Sequence, residues 1–446
     1  MINSLGFSKP LRYSLKGHRR LRVSDYRIIY RIEINEKQQS HHKVVIIAIK
    51  HRKNMYLIYM RLPIYLDYMS TTPTDPRVAA KMRPYLTMND NGVFANAAST
   101  HYYGRQAKAA IEIAREQVAL LISATPDEII WTSGATEANN LALKGAALFY
   151  QRQGKHIVTC TTEHKSVLAP LRYLATLGFD ITYLKPQTDG LLNLTKLEQA
   201  LRADTIMVSI MQVNNEIGVI QNIEAIGALT RARGILFHVD AAQSVGKIPV
   251  DVKKNQIDLL SCTAHKFYGP KGIGALYVRG KPRLHLVPQI HGGEQEHNLR
   301  SGTLATHQIV GMGEASRIAL EEMADDNERI LSLRQRFWSH LEHLILPNTQ
   351  RIQLNGHATQ RIASNLNINF GNLDAEILLT ALDDLAISTG SACNSLSLEP
   401  SHVLLAIGIP RQLAANALRF SFGKFTTIEE VDYAAKQVKR VITALS

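Results

Sequence analysis

Lys266, in the run Thr263-Ala264-His265-Lys266, follows the segment His238-Val239-Asp240-Ala241-Ala242-Gln243 by one short loop and strand. A lysine amine condenses with an aldehyde, and a carboxylate at the end of an apolar strand keeps a pyridine nitrogen protonated. Together they are what a pyridoxal phosphate site needs, with Lys266 as the imine-forming lysine and Asp240 as partner of the ring nitrogen. Taken singly, each has a plainer reading. A lysine after small residues also fits a solvated surface position, and an aspartate ending a strand also fits a turn former.

Further residues for such a site occur in a sensible order. Glu128-Ile129-Ile130-Trp131-Thr132-Ser133 reads as a buried strand, and Gly134-Ala135-Thr136-Glu137 opens a helical stretch. Backbone N–H groups at that helix start, with Ala135 and Thr136 foremost, are aimed at an anion and predict a phosphate cup. An ordinary capping box would look the same. His164 follows the apolar strand Ile157-Val158-Thr159-Cys160, where an imidazole stacks on a pyridine ring and moves protons, or serves structure alone. Asn215, in Val213-Asn214-Asn215-Glu216-Ile217-Gly218, is a second polar residue after a strand.

Asp240 to Gln243, Ala264-His265-Lys266 with Tyr268-Gly269-Pro270-Lys271-Gly272, Thr162-Glu163-His164-Lys165, Arg300-Ser301-Gly302-Thr303, Ser391-Ala392-Cys393 and Leu418-Arg419-Phe420 resemble the cysteine desulfurases of the IscS/NifS type, over about residues 62–440. The resemblance implies pyridoxal 5'-phosphate as cofactor, Lys266 as its covalent anchor, Asp240 on the pyridinium and Gln243 as donor to the phenolate oxygen. It implies His164 as the stacked acid/base, and Thr136, Thr263 and His265 on the phosphate, joined by Thr303 from the other subunit of a homodimer. Arg419 and Asn215 would clamp the substrate carboxylate, a task suited to a planar, permanently charged guanidinium.

Of three cysteines, Cys160 and Cys262 lie in apolar strands and are expected to be inert core residues. Cys393 sits among small, mostly polar neighbours, Ser388-Thr389-Gly390-Ser391-Ala392 and Asn394-Ser395-Leu396-Ser397, which describe an exposed loop able to carry a thiolate. A transaminase has no use for such a thiol. The implied reaction takes L-cysteine to L-alanine and leaves the sulfur as a persulfide on Cys393, for iron–sulfur clusters or thio-cofactors. A selenocysteine lyase or other pyridoxal phosphate lyase is the nearest rival, and an RNA-binding or mRNA-cleaving protein with a degenerate domain is the alternative from another class.

The chain departs from the family pattern at several points. Its glycine-rich segment reads Gly292-Gly293-Glu294-Gln295-Glu296-His297-Asn298, so two flexible positions are Glu294 and Asn298; asparagine tolerates a left-handed backbone better than glutamate does. Met69-Ser70 stands for a small Ser-Ala pair, and Ala97 for a common proline, departures that leave room for reduced activity. The sequence stops at Val441-Ile442-Thr443-Ala444-Leu445-Ser446, where housekeeping members continue into a tail that engages the iron–sulfur scaffold. That puts this sulfur acceptor in question.

These residues need a frame. Strands and helices alternate from about 76 to 324 as in a mainly parallel α/β sheet, the large domain of a fold-type I pyridoxal phosphate enzyme by resemblance. A small α+β domain would combine 61–75 with 325–446 and carry Cys393 and Arg419, the site lying between domains and at the dimer interface. No apolar run approaches the ~18 residues of a membrane span, and a cytoplasmic enzyme is expected. Three cysteines without CxxC spacing argue against a disulfide framework or zinc ribbon, and the spacing of His291, Glu294 and His297 is wrong for a metal, so none is expected.

Charge singles out another unit. Residues 1–60 hold thirteen Lys/Arg and three Asp/Glu, a balance of +10 that leaves +3 of the formal +13 for the rest. Tyr26 to Ile34 and Lys43 to Ile49 read as two strands joined by a hairpin-like loop, which favours a folded fragment over an amphipathic targeting helix. Leu15-Lys16-Gly17, Leu21-Arg22-Val23, Asp25 to Tyr30 and His51 to Tyr56 resemble the C-terminal half of a RelE-type toxin, a ribosome-dependent mRNA endonuclease. The matching basic and aromatic positions are Arg27, Arg52 and Tyr56. The helical hairpin that covers the sheet in such toxins has no room before Leu15, so the fragment is expected to be vestigial, without functional RNA binding.

Overall fold

The computed structural model describes the backbone of residues 9–10, 19–23, 26–34 and 42–51, and residues 63–88, 92–346, 352–389 and 399–445 in full. Contacts divide the chain into two units, 1–64 and 65–446. The first is a four-stranded antiparallel sheet of β1 (Lys9–Pro10), β2 (Arg19–Val23), β3 (Tyr26–Ile34) and β4 (His42–His51), paired in sequence order. β3 and β4 are the hairpin expected from their β-branched residues, Tyr26 opposite His51, with an irregularity between Ile29 and Tyr30. Arg52 and Tyr56 lie outside the described residues.

The second unit is built on a seven-stranded sheet of β5 (Ile129–Thr132), β6 (His156–Cys160), β7 (Asp180–Leu184), β8 (Thr205–Met211), β9 (Leu236–Asp240), β10 (Leu259–Thr263) and β11 (Gly274–Val278). The order is β5-β11-β10-β9-β8-β6-β7, and only β11 runs against the others. Near-continuous apolar runs such as Leu259–Thr263 suit strands covered on both faces. Alternate side chains feed two cores. Ile129 and Trp131 join Ile111 and Val118 of α1 (Tyr102–Leu121) and Ile309 and Met312 of the long α4 (Thr306–Leu341). Ile130 joins Leu141 and Ala142 of α2 (Ala135–Tyr150) and Val167 and Leu171 of α3 (Lys165–Thr176).

A second, antiparallel sheet has the order β12 (Gln353–Leu354), β13 (Asn365–Asn369), β15 (Ala417–Ser421), β14 (Ser388–Thr389). Phe420 of β15 packs on Phe337 of α4 with ring centroids 5.0 Å apart. The α/β class, mainly parallel large sheet and smaller α+β part match the sequence reading.

Candidate active site

Parallel strands end on one side of the sheet, so loops after successive strands converge there. Ser133 to Thr136 follow β5, His164 follows β6, Asn215 follows β8, Gln243 follows β9 and Lys266 follows β10. Asp240 is the last residue of β9. With Met69, Ser70, Glu216, His402 and Arg419 they line one cavity of about 600 Å³. That volume suits a cofactor-sized molecule.

Asp240 is buried and held on both oxygens: Oδ1 accepts from the Ala242 N–H (3.0 Å) and Oδ2 from the Asn139 amide (2.8 Å). Asn139 donates its second N–H to Ser166 Oγ (2.8 Å), and Ser166 Oγ lies 2.7 Å from His164 Nδ1. The Ser166 backbone N–H also points at that nitrogen, 3.1 Å away. A ring nitrogen facing two donors carries no proton, so the neutral imidazole keeps its proton on Nε2. Burial pushes the His164 pKa down, against the opposing pull of Asp240.

Lys266 closes a short 3-10 turn and donates to the carbonyls of Met69 (2.8 Å) and Ser70 (2.7 Å). The unusual Met69-Ser70 pair therefore meets the lysine through its backbone, which a change of side chain does not remove. Gln243 donates to the same Met69 carbonyl (2.8 Å). Ala97 does not line the cavity.

At one end of the cavity, α2 is capped by Gly134 at φ 153°, a conformation that disfavours a side chain, and the first-turn N–H groups of Ala135 and Thr136 open on the cavity, an arrangement suited to an anion. Thr263 Oγ1 donates to the Ile273 carbonyl (3.1 Å), and His265 Nδ1 meets Thr71 Oγ1 (3.0 Å). Burial and then Lys266 hold the His265 pKa down at about 4, so the ring is neutral. Glu137 is paired with Arg300 (2.8 Å), which offsets its charge at the start of α2.

At the other end, Arg419 is 2% exposed and donates to the Asn215 carbonyl (2.8 Å) and to Asp67 Oδ1 (2.8 Å). Its Nε has no hydrogen-bond partner among the described residues. A buried guanidinium with donors to spare suits a carboxylate ligand. Cys393 lies outside the described residues; Cys160 and Cys262 are buried, as their apolar strands implied. Thr303 is exposed and does not line its own chain's cavity.

Sequence reading missed Asn139, Ser166, Glu216 and Lys247. Asn139 lies one turn beyond Thr136, and that i, i+3 spacing on a helix opening at an anion site was its only local signal. The glycine-rich segment also differs from expectation in detail: Asn298 is left-handed at φ 64°, but Glu294 is not, and the strain falls on Glu296 (φ 49°) and His297 (φ 56°). Glu296 repays it by pairing with buried Arg115 (2.8 Å) and accepting from the Trp131 N–H (2.7 Å). Among the described residues no group of three or more His, Cys, Asp or Glu is placed to hold a metal, and no helix is long and apolar enough to cross a membrane.

The sequence profile described as Aminotransferase class-V matches residues 64–434. "Cysteine desulfurase IscS" of Vibrio campbellii is 57% identical over 387 residues, covering 86% of this chain and 94% of that protein. Its namesake in Aeromonas hydrophila is 58% identical over the same span. A solved "NifS-like protein" superposes with a TM-score of 0.79 at 35% identity, covering 86% of this chain and 100% of the other. A structure titled "SspA in complex with cysteine" does so with a TM-score of 0.72 at 38% identity, covering 82% and 100%. Residues 4–56 match the profile described as ParE toxin of a type II toxin–antitoxin system, where the sequence suggested a RelE-type toxin.

Proposed function

The chain belongs to the class-V aminotransferase family and within it to the cysteine desulfurases, and from that premise we propose how its own residues divide the work. The enzyme is pyridoxal phosphate-dependent and converts L-cysteine to L-alanine while passing sulfur to an enzyme cysteine. The observation that carries this reading is the convergence on one cavity of Lys266, Asp240 and His164 from three strand ends of the large sheet and of Arg419 from the middle of β15.

The cofactor fits the donor set: amine, buried carboxylate, helix N-terminus and spare guanidinium N–H groups are spaced along a single cavity. When bound, pyridoxal phosphate supplies an electron sink for charge developing at the substrate α-carbon. Asp240, fixed by Asn139 and the Ala242 N–H, would hold a proton on the ring nitrogen, and Gln243 would donate to the phenolic oxygen. Lys266 would hold the cofactor at its aldehyde through the side-chain amine. Ala135, Thr136, Thr263 and His265 would hold the phosphate, and Thr303 would reach it from the partner protomer of a homodimer, in keeping with its exposure and its absence from its own cavity. Arg419 and Asn215 orient the substrate carboxylate, and His164, neutral with its proton on Nε2, exchanges protons with the substrate. The Cys393 thiolate takes the sulfur.

We assign the large domain to 76–324 and the small one to 61–75 plus 325–446. The location is cytoplasmic, and the sulfur goes on to an acceptor protein of iron–sulfur or thio-cofactor assembly. The toxin-like residues 1–60 supply none of the assigned site residues and are vestigial.

The test is product analysis. Purified protein is yellow and, with L-cysteine and dithiothreitol, releases alanine and sulfide in equal amounts; Cys393→Ser keeps the colour and loses sulfide release, because a hydroxyl is a far poorer nucleophile toward sulfur. Undiminished sulfide from that variant refutes the assignment of Cys393.

A further inference from the structure

Lys247 is half-buried by residue, yet its amine points inward and donates to Gln243 Oε1 at 2.8 Å. Among the described residues no carboxylate pairs with it; its other neighbour is the Met69 sulfur at 3.9 Å. A lysine amine inside a protein without a countercharge is costly, and burial, followed by the nearby charges of Lys266 and Arg419, pushes its pKa well below the usual value. So costly a position calls for a function, and its one strong hydrogen bond goes to a residue of the cofactor cavity.

The local backbone puts it there. Ala241 to Ile248 wind through successive turns, with Val245 N–H donating to the Ala241 carbonyl and Ile248 N–H to that of Ser244. Four residues apart on such a coil, Gln243 and Lys247 share a side. Gly246 makes the tight approach possible: it sits at φ 73°, and a Cβ there would come within 2.7 Å of the Phe267 ring, next to Lys266. From α4, the Asn327 amide donates to the Lys247 carbonyl and pins the backbone.

We propose that Lys247 is a positioning residue that fixes which way the Gln243 amide faces. An amide has one acceptor and two donor hydrogens, and its two ends look alike to a cavity of fixed shape. Here Lys247 Nζ occupies the acceptor end and the Met69 carbonyl takes one N–H, so the remaining N–H is the group left for the cavity. Flipping the amide would set Oε1 against the Met69 carbonyl. Lys266 also donates to that carbonyl, so the Met69 contact of Gln243 is shared with the site lysine. Removing the amine leaves a buried oxygen without a donor and takes away the contact that holds the amide in this orientation.

The inference rests on the assignment of Gln243 as donor to the cofactor's phenolic oxygen, and the experiment separates the two. The pH midpoint of the visible absorbance band of holoenzyme reports how that oxygen and the Lys266 nitrogen share a proton. A donor at the oxygen lowers the midpoint. Gln243→Ala raises it by about one pH unit, a tenfold change in proton affinity; no change there defeats the role of Gln243 itself. Lys247→Met raises it by a similar amount in the parent and by nothing further in the Gln243→Ala background. Lys247→Arg, which keeps a donor, returns it toward the parent value. An equal shift in both backgrounds would mean that Lys247 acts through its charge alone, and no shift in the parent that it does not act on the site; either result overturns the proposal. Lys247→Leu serves the same comparison if the methionine variant fails to fold, as judged by melting of the cofactor-free protein.

Discussion

Glu216 offers a quantitative test of how the cavity wall is built. It is 3% exposed, accepts from the Ser401 hydroxyl, and burial lifts its pKa from 4.5 to about 7, with Ser401 and then Arg419 pulling the other way. A raised carboxyl pKa means that the folded protein keeps the proton to a higher pH than the unfolded chain does. The stability this group contributes is therefore fully present below about pH 4.5 and is lost as pH rises to about 7. At ~1.4 kcal/mol for each pH unit of the interval, the loss comes to about 3.5 kcal/mol above pH 7. Glu216→Gln keeps the size and a polar end for Ser401 but cannot ionise. Urea unfolding of parent and variant holoenzyme across this range should give equal stabilities near pH 4.5 and a variant more stable by about 3.5 kcal/mol near pH 8. A constant difference, or a variant less stable at pH 8, would refute the claim that Glu216 is held protonated by burial.

Lys266→Ala is expected to abolish the borohydride-fixable cofactor adduct; Lys165 and Lys271 also line the cavity, and an adduct persisting on either would displace Lys266 from its role. Arg419→Lys should lower kcat/KM for L-cysteine about 30-fold, near 2 kcal/mol, because an ammonium cannot hold Asp67 and the Asn215 carbonyl while presenting a planar pair of donors to a carboxylate. An unchanged kcat/KM would count against the clamp. Deleting residues 1–60 removes a net charge of +10 and should weaken salt-sensitive RNA binding while leaving alanine production intact. Full-length protein that cuts translated mRNA, and stops on Arg52→Ala, would make the chain bifunctional.

The family and the frame were legible in the sequence alone. Lys266, Asp240, His164 and Arg419 are recognisable because each sits in or just beyond an apolar strand, within a short motif whose local order survives in the linear chain. The parallel sheet is legible for a similar reason: a strand covered on both faces must be apolar along its length. Tertiary structure decided the connections between those residues. Asn139 meets Asp240 across 101 residues, Ser166 across 27, and Lys266 finds the Met69 carbonyl across 197. Hydrogen bonds of that reach depend on which strand ends become neighbours, and the order β5-β11-β10-β9-β8-β6-β7 is not written in any local window. The same holds for charge state: Glu216 and Lys247 are ordinary polar residues in the sequence, and only the packing that strips them of water holds one toward its acid form and the other toward its neutral amine.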